Sequence, residues 1–280
     1  MAAVIFESFA TAVGESMTRW SEKGSDERPS QRRSSPVVKI RTLGMFRIAI
    51  DDESLLHTGH CHKKPLQLLQ LLLALNPDGT TVQALSDALW PDAEADAAHH
   101  AFEVNLQRLR RALGRPDALL LHAGTLRLNR AVCWVDCWTL DAIARQLDAE
   151  SLVEPPEALA RQLLQVCRGP FLPGVDTSWA WLSRQQFAAR FLRAVEQLGG
   201  LLETRGQTDL AIDLYRRALE SDPVAEAVCR RLMAVLAAAG RQTEALAAYA
   251  RCVDACEAGL GVPPSDLTRG LAEAIRDGIH

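Results

Sequence analysis

Hydrophobic and polar positions along this chain change period several times, and the changes divide it into elements. In VVKIRTLGMFRIAID (37–51), Val38, Ile40, Phe46, Ile48 and Ile50 alternate with polar or basic residues on either side of Gly44. Alternation at period two, broken by one glycine, predicts two strand segments with a turn at Gly44. The period then lengthens. In KKPLQLLQLLLALNPDG, Leu66, Leu69, Leu72 and Leu73 fall at helical spacing, Pro65 suits a first turn, and NPDG (76–79) ends the helix. TTVQALSDALWPD predicts a second helix, with Thr80 and Gln83 at capping-box spacing and Pro91 at its end. Its buried side is Val82, Leu85, Leu89 and Trp90. A third helix is expected over 96–113, with Asp96 as N-cap and Gly114 as C-cap.

Beyond Gly114 the period returns to two. LLLHAGTLRLN (119–129) reads as two short strands around Ala123-Gly124, a tight hairpin, and VCWVDCW (132–138) as one more strand. From there on the pattern is helical. PEALARQLLQVC and SWAWLSRQQFAARFLRAVEQLGGLLETRG both carry apolar residues at helical spacing. The last part repeats itself: Gly206 aligns with Gly240, Ala211 with Ala245, Tyr215 with Tyr249 and Arg217 with Arg251. Each pair is 34 residues apart, the tetratricopeptide period, which predicts paired helices with the tyrosine between them.

The order strands, three helices, hairpin predicts a winged helix-turn-helix, whose third helix enters the major groove while the hairpin wing reaches the neighbouring backbone. The expected fold is therefore an α+β winged helix-turn-helix domain over 37–138, followed by an all-α tetratricopeptide-like helical domain over 139–280. Residues 1–36 are expected to stand apart from both. MAAVIFESFATAV lacks a basic start and contains Glu7, so it reads as a short helix or disordered start rather than a signal peptide. SEKGSDERPSQRRSSP (21–36) is polar and charged, a linker or disordered segment.

On a helical wheel the third helix separates two kinds of residue. Phe102, Leu106, Leu109 and Leu113 share one narrow face, which is core. His100, Val104, Gln107, Arg108 and Arg111 collect opposite it, and Asn105, Arg110 and Glu103 lie on the flanks. A surface helix without a task mixes charge signs at i,i+4, but here Glu103 is the single acid against Arg108, Arg110, Arg111 and Arg115. Arginine forks onto guanine, glutamine and asparagine clamp adenine, and a valine meets a thymine methyl. Other arginines grip phosphates. Supporting contacts are expected from Lys63 and Lys64 at the start of the first helix, and from His122, Thr125 and Arg127 near the hairpin tip.

Charge sharpens this picture. The net charge is −4, so no global field draws the chain to nucleic acid, and affinity must come from a local patch. Acids and bases balance up to residue 138, and the whole excess of acid lies beyond it. That asymmetry suggests different partners for the two halves.

KKPLQLLQLLLAL, TTVQALSDALWPD, NLQRLRRALG, LLLHAGTLRLN and WVDCW, in that order, resemble the OmpR-type winged helix found in SARP-type regulators. The LWPD end of the second helix and the RLRRALG end of the third carry the match. The helical part resembles the bacterial transcriptional activator domain that follows the winged helix in that family. The resemblance covers about 37–280. It implies a sequence-specific DNA-binding transcription regulator, an activator that binds double-stranded direct repeats as a homodimer or side-by-side pair and contacts RNA polymerase. By the same resemblance Asn105, Gln107, Arg108, Arg110 and Arg111 take the DNA-facing role. HTGHCHKK is richer in His and Cys than the basic entry to the first helix that the family leads one to expect.

Other chemistry finds little support. His57, His60, Cys61 and His62 crowd together, but adjacent Cys61 and His62 diverge and no second ligand pair lies nearby, so an exposed loop is expected and no metal. Seven scattered cysteines suit a reducing cytoplasm, and Cys252 and Cys256 are expected on one helix face as small core residues. Trp179 and Trp181, near FLPG (171–174), are expected to anchor packing. The sequence contains no GxxxxGKS or GxxxxGKT phosphate loop, no GxSxG and no HExxH, so neither an enzyme nor a cofactor is expected. No apolar run is long enough to span a membrane. The competing expectation is a protein-interaction scaffold built on the helical repeats, with a winged helix that no longer binds DNA.

Overall fold

Alternation becomes burial at the first strand pair. The computed structural model describes residues 38–50, 53–54 (backbone), 63–76, 78–149 and 152–278. Strands β1 (Val38–Arg41) and β2 (Arg47–Ile50) pair antiparallel with Ile40 opposite Ile48. Val38, Ile40 and Ile48 have no solvent exposure. The turn between them holds Gly44 at φ 94, and a Cβ there would come within 2.8 Å of the Arg168 backbone, so both conformation and space require glycine. β3 (Glu53–Ser54) adds to β2, and β7 (Cys133–Val135) runs parallel to β1, giving the sheet order β3-β2-β1-β7. The expectations for residues 1–36 and for the His57–His62 cluster lie outside the described residues.

Three helices follow. α1 (Lys63–Leu75) is buried on more than one side, at Leu68, Leu69, Leu71, Leu72 and Leu73. It packs on α3 (Ala95–Ala112) and also on a long later helix, α6 (Ser178–Thr204), which accounts for an apolar surface wider than one stripe. α2 (Val82–Leu89) is capped by Thr81, whose hydroxyl accepts from the Ala84 N–H at 3.2 Å. The capping pair expected at Thr80 and Gln83 does not form. Thr80 is committed to the short strand β4 (Thr80–Thr81), opposite Leu126, and Gln83 donates to Asp87 instead. α3 starts one residue before Asp96, with Glu94 as N-cap, and Gly114 follows its end at φ 61.

β5 (Leu119–His122) and β6 (Thr125–Leu128) form the expected hairpin, with β4 on the far side of β6. Ala123 and Gly124 at its tip both have positive φ, 47° and 71°, the backbone a two-residue hairpin turn demands. The strand expected over 132–138 is shorter. It stops at Val135, and α4 (Asp136–Asp148) begins at once. Asp136 explains the change. Its carboxylate accepts from its own helix, at the Cys137 N–H, and from the Thr42 N–H, the Thr42 hydroxyl and the Leu43 N–H, all within 2.9 Å.

The remainder is helical: α5 (Pro156–Val166), α6, α7 (Thr208–Ser221), α8 (Glu226–Ala238), α9 (Gln242–Leu260) and α10 (Asp266–Arg276). The repeat read from the sequence occupies equivalent places. Gly206 and Gly240 sit in the turns before α7 and α9 with φ 69° and 73°, and Ala211 and Ala245 are fully buried. The tyrosines differ: Tyr215 is fully buried, while Tyr249 is half-buried. Tyr215 lies directly against Gly199 of α6 and donates to Glu203. A Cβ on Gly199 would overlap its hydroxyl and ring. Gly199→Ala should therefore destabilise the fold by about 2 kcal/mol, because overpacking outweighs the roughly 1 kcal/mol that alanine gains in a helix. A lowered urea midpoint at unchanged slope is the expected reading; an unchanged or raised midpoint would show that Tyr215 yields freely.

The two halves share one buried cluster that runs from Val38 to Ile275. Between them, Leu43 bridges to Phe171, the Gly44 N–H donates to the Pro170 carbonyl at 2.9 Å, and the Leu172 N–H to the Thr42 carbonyl at 2.8 Å. Arg184 donates to the carbonyls of Phe171, Leu172 and Val175, and the Phe171 and Phe187 rings stack 4.3 Å apart. The Ser183 hydroxyl donates to the Ala74 carbonyl at the end of α1. Trp179 packs on this core as expected, but Trp181 is 58% exposed and anchors nothing, since it starts the next turn of α6 on the solvent side. Cys252 and Cys256 lie in the core of the repeat.

Candidate nucleic-acid interface

Burial along α3 follows the wheel. Phe102, Leu106 and Leu109 are buried, and so is Leu113 just past the end. His100, Gln107, Arg108 and Arg111 are exposed, and Val104 is half-buried among them. Neither Arg108 nor Arg111 has an ion pair or hydrogen bond with another described residue. Glu103, one of the two acids of this helix with Asp96, lies 3.6 Å from His99. The exposed face thus presents two uncommitted guanidinium groups, a primary amide, an imidazole and a small apolar side chain.

Two of the expected contact residues are placed differently. Asn105 is 7% exposed, and its amide donates to the Ala101 carbonyl one turn earlier at 2.7 Å. Its Oδ1 is buried without a protein partner. Arg110 is half-buried and donates Nε and Nη2 to the Leu119 carbonyl, at 3.3 and 2.8 Å. The flank positions of the wheel are thus used inside the protein. Arg110 ties the third helix to the first residue of the hairpin and fixes the two relative to each other.

At the hairpin, His122 and Arg127 are exposed, and Thr125 is half-buried opposite His122. At the start of α1, Lys63 is exposed. Lys64 donates to the Leu89 carbonyl at 3.3 Å and lies 5.8 Å from the Trp90 ring, so its charge sits at the C-terminal end of α2, where a helix dipole favours a cation.

Sequence reasoning passed over Arg130, two residues beyond the hairpin. It makes two hydrogen bonds of 2.8 Å to Asp78, in the turn between α1 and α2, and lies 4.3 Å over the Trp138 ring in the first turn of α4. The Arg130 guanidinium holds the Asp78 carboxyl below the usual carboxylate range. The hairpin exit, the helical turn and the helical half meet at this one side chain. A lone arginine after LRLN carries no periodic signal by which to find it.

The helical part that follows the sheet belongs to a recognisable class. The family model of the bacterial transcriptional activator domain matches residues 134–276, and the chain belongs to that family. The match begins in β7, where the sheet hands over to the helices. Among individual proteins, the chain is 30% identical over 265 residues to the regulatory protein AfsR of Streptomyces coelicolor. That alignment takes in 88% of this chain and 25% of AfsR, so the chain spans a quarter of that relative's length. Among solved structures it resembles Mycobacterium tuberculosis EmbR, determined in complex with a low-affinity phosphopeptide, with a TM-score of 0.59 at 21% identity. The likeness covers 87% of this chain and 65% of that one, and it concerns the fold. Among the described residues, no helix is long and apolar enough to cross a membrane, and no group of His, Cys, Asp and Glu is arranged to hold a metal ion.

Proposed function

We propose that this chain is a sequence-specific DNA-binding transcription activator, with a winged helix-turn-helix domain over 37–138 and a tetratricopeptide-like activator domain over 139–280. The observation that carries this reading is the exposed face of α3, where Arg108 and Arg111, next to the exposed Gln107, have no partner among the described residues. An unpaired pair of arginines on a helix held by α2 and tied to a hairpin fits insertion into the major groove. In that pose Gln107, Arg108 and Arg111 meet base edges or phosphates, Val104 meets a thymine methyl, and His100 reaches the backbone. Arg127 and Thr125 of the hairpin, with Lys63 at the start of α1, add phosphate contacts. Asn105 and Arg110 act from within, as supports of the helix rather than as readers. The family's name, and the alignment with a regulatory protein over most of the chain, support an output in transcription. RNA polymerase and a second copy of the chain are the partners that reading calls for.

The test is DNA binding by the full chain at several salt concentrations, followed by recovery of preferred sites from a random duplex pool. Affinity should fall with salt, linearly on logarithmic axes, as counterions return to the phosphates. One sequence class should be enriched. Binding that is absent at low salt, or enriches nothing, would discard this reading in favour of a protein-interaction scaffold.

A further inference from the structure

A groove of about 600 Å³ runs along the join of the two halves, within the range of small-molecule sites. It is lined by Asp78 and Arg130 from the N-terminal half, by one side of α4, and by one side of α6. Four guanidinium groups line it: Arg130, Arg145, Arg190 and Arg193. Two of them are taken. Arg130 is paired with Asp78 and Arg190 with Asp141. Arg145 gives only its Nε, to the Asp141 carbonyl, and Arg193 has no ion pair or hydrogen bond with a described residue. Neither Arg145, which also acts through space on Asp78, nor Arg193 is in an ion pair with a described residue, and against them stands one acid without an ion pair, Asp148. Gln186 and Gln197 also line the groove with amides that bond to no described residue.

We propose that this groove is a binding site for a small phosphate-bearing anion, with Arg145 and Arg193 as its anchors. Guanidinium groups fork onto phosphate oxygens in bidentate geometry, and two of them lining one groove match a di- or triphosphate better than a single charge. The glutamine amides supply neutral donors and acceptors for the rest of the ligand. The ligand would touch α4, α6 and the Asp78–Arg130 pair together, so its binding energy would hold the two halves in one arrangement. This site is separate from the α3 face and does not depend on DNA binding.

Inorganic tripolyphosphate is the probe, titrated calorimetrically into the full chain without DNA. Saturable one-to-one binding is expected. Arg145→Gln/Arg193→Gln should weaken it about tenfold or more, since two charge-assisted contacts are lost. Both side chains are exposed, so the variant should keep the parent's thermal transition in the absence of probe. Arg108→Ala/Arg111→Ala should bind the probe like the parent. No saturable binding, equal binding by the groove variant, or a loss confined to the α3 variant would each overturn the proposal. The last of these would place the anion on the α3 face. The first two have no bearing on whether that face binds DNA.

Discussion

Replacing Arg108 and Arg111 together with alanine should remove sequence-specific DNA binding from a chain that still folds. Each arginine is exposed and has no partner among the described residues, so truncation leaves no buried group there unsatisfied. Alanine is the better helix former, and the core face of Phe102, Leu106 and Leu109 is untouched. The losses fall on the complex. An arginine bidentate to guanine contributes about 1–3 kcal/mol and sets the base preference at its position. One on a phosphate weakens all sequences alike and lowers the salt slope by about one. Two guanine contacts together would come to roughly 2–6 kcal/mol, thirtyfold or more in affinity at 25 °C. Fluorescence anisotropy against the selected site and a scrambled duplex, at one salt concentration, separates the two cases. Parent-like affinity and parent-like preference in a variant with intact circular dichroism would remove α3 from recognition.

Arg110 is not interchangeable with these two, although the sequence sets all three in one run. Whether an arginine faces DNA or the protein depends on what lies beside it. The Leu119 carbonyl that holds Arg110 comes from a strand nine residues later. The Ala101 carbonyl that holds Asn105 is local, but the burial that leaves its Oδ1 without a partner is tertiary. Helical spacing resolves a core face from its opposite and leaves the flanks undecided. Features set by backbone geometry were easier to read. Gly44 and the Ala123-Gly124 turn lie in left-handed conformations that the sequence signals directly, and the 34-residue offset places Gly206 and Gly240 in equivalent turns. The Thr80 cap slipped by one residue because a capping signal cannot show that the same residue is also needed in a sheet. VCWVDCW gave no sign that a helix starts inside it, because Thr42 and Leu43, which Asp136 serves besides its own neighbour Cys137, are more than ninety residues away in sequence.

The join between the halves rests on that aspartate, and the reading of the groove as a shared site assumes a join that holds. Asp136 has no solvent exposure. Burial pushes its carboxyl above the ordinary range, while the donors from Thr42, Leu43 and Cys137 pull the other way. Thr42 and Gly44, on either side of the loop it clamps, are the residues that bond to Leu172 and Pro170 of the helical half. Asp136→Ala should therefore cost about 3–5 kcal/mol, since it strands three backbone N–H groups and a hydroxyl in a site closed to water. Asp136→Asn should cost nearly as much despite its matching shape. Oδ1 accepts from Thr42 and Cys137, and Oδ2 from Thr42 and Leu43, so an amide NH₂ on either side faces donors with a donor. Urea unfolding of the three proteins gives the comparison. If Asp136→Asn keeps the parent's midpoint, the carboxylate is not what closes this loop. If both variants fall together while a surface change such as Arg108→Ala leaves the midpoint in place, the clamp holds the strand that opens the sheet against the helices that follow it.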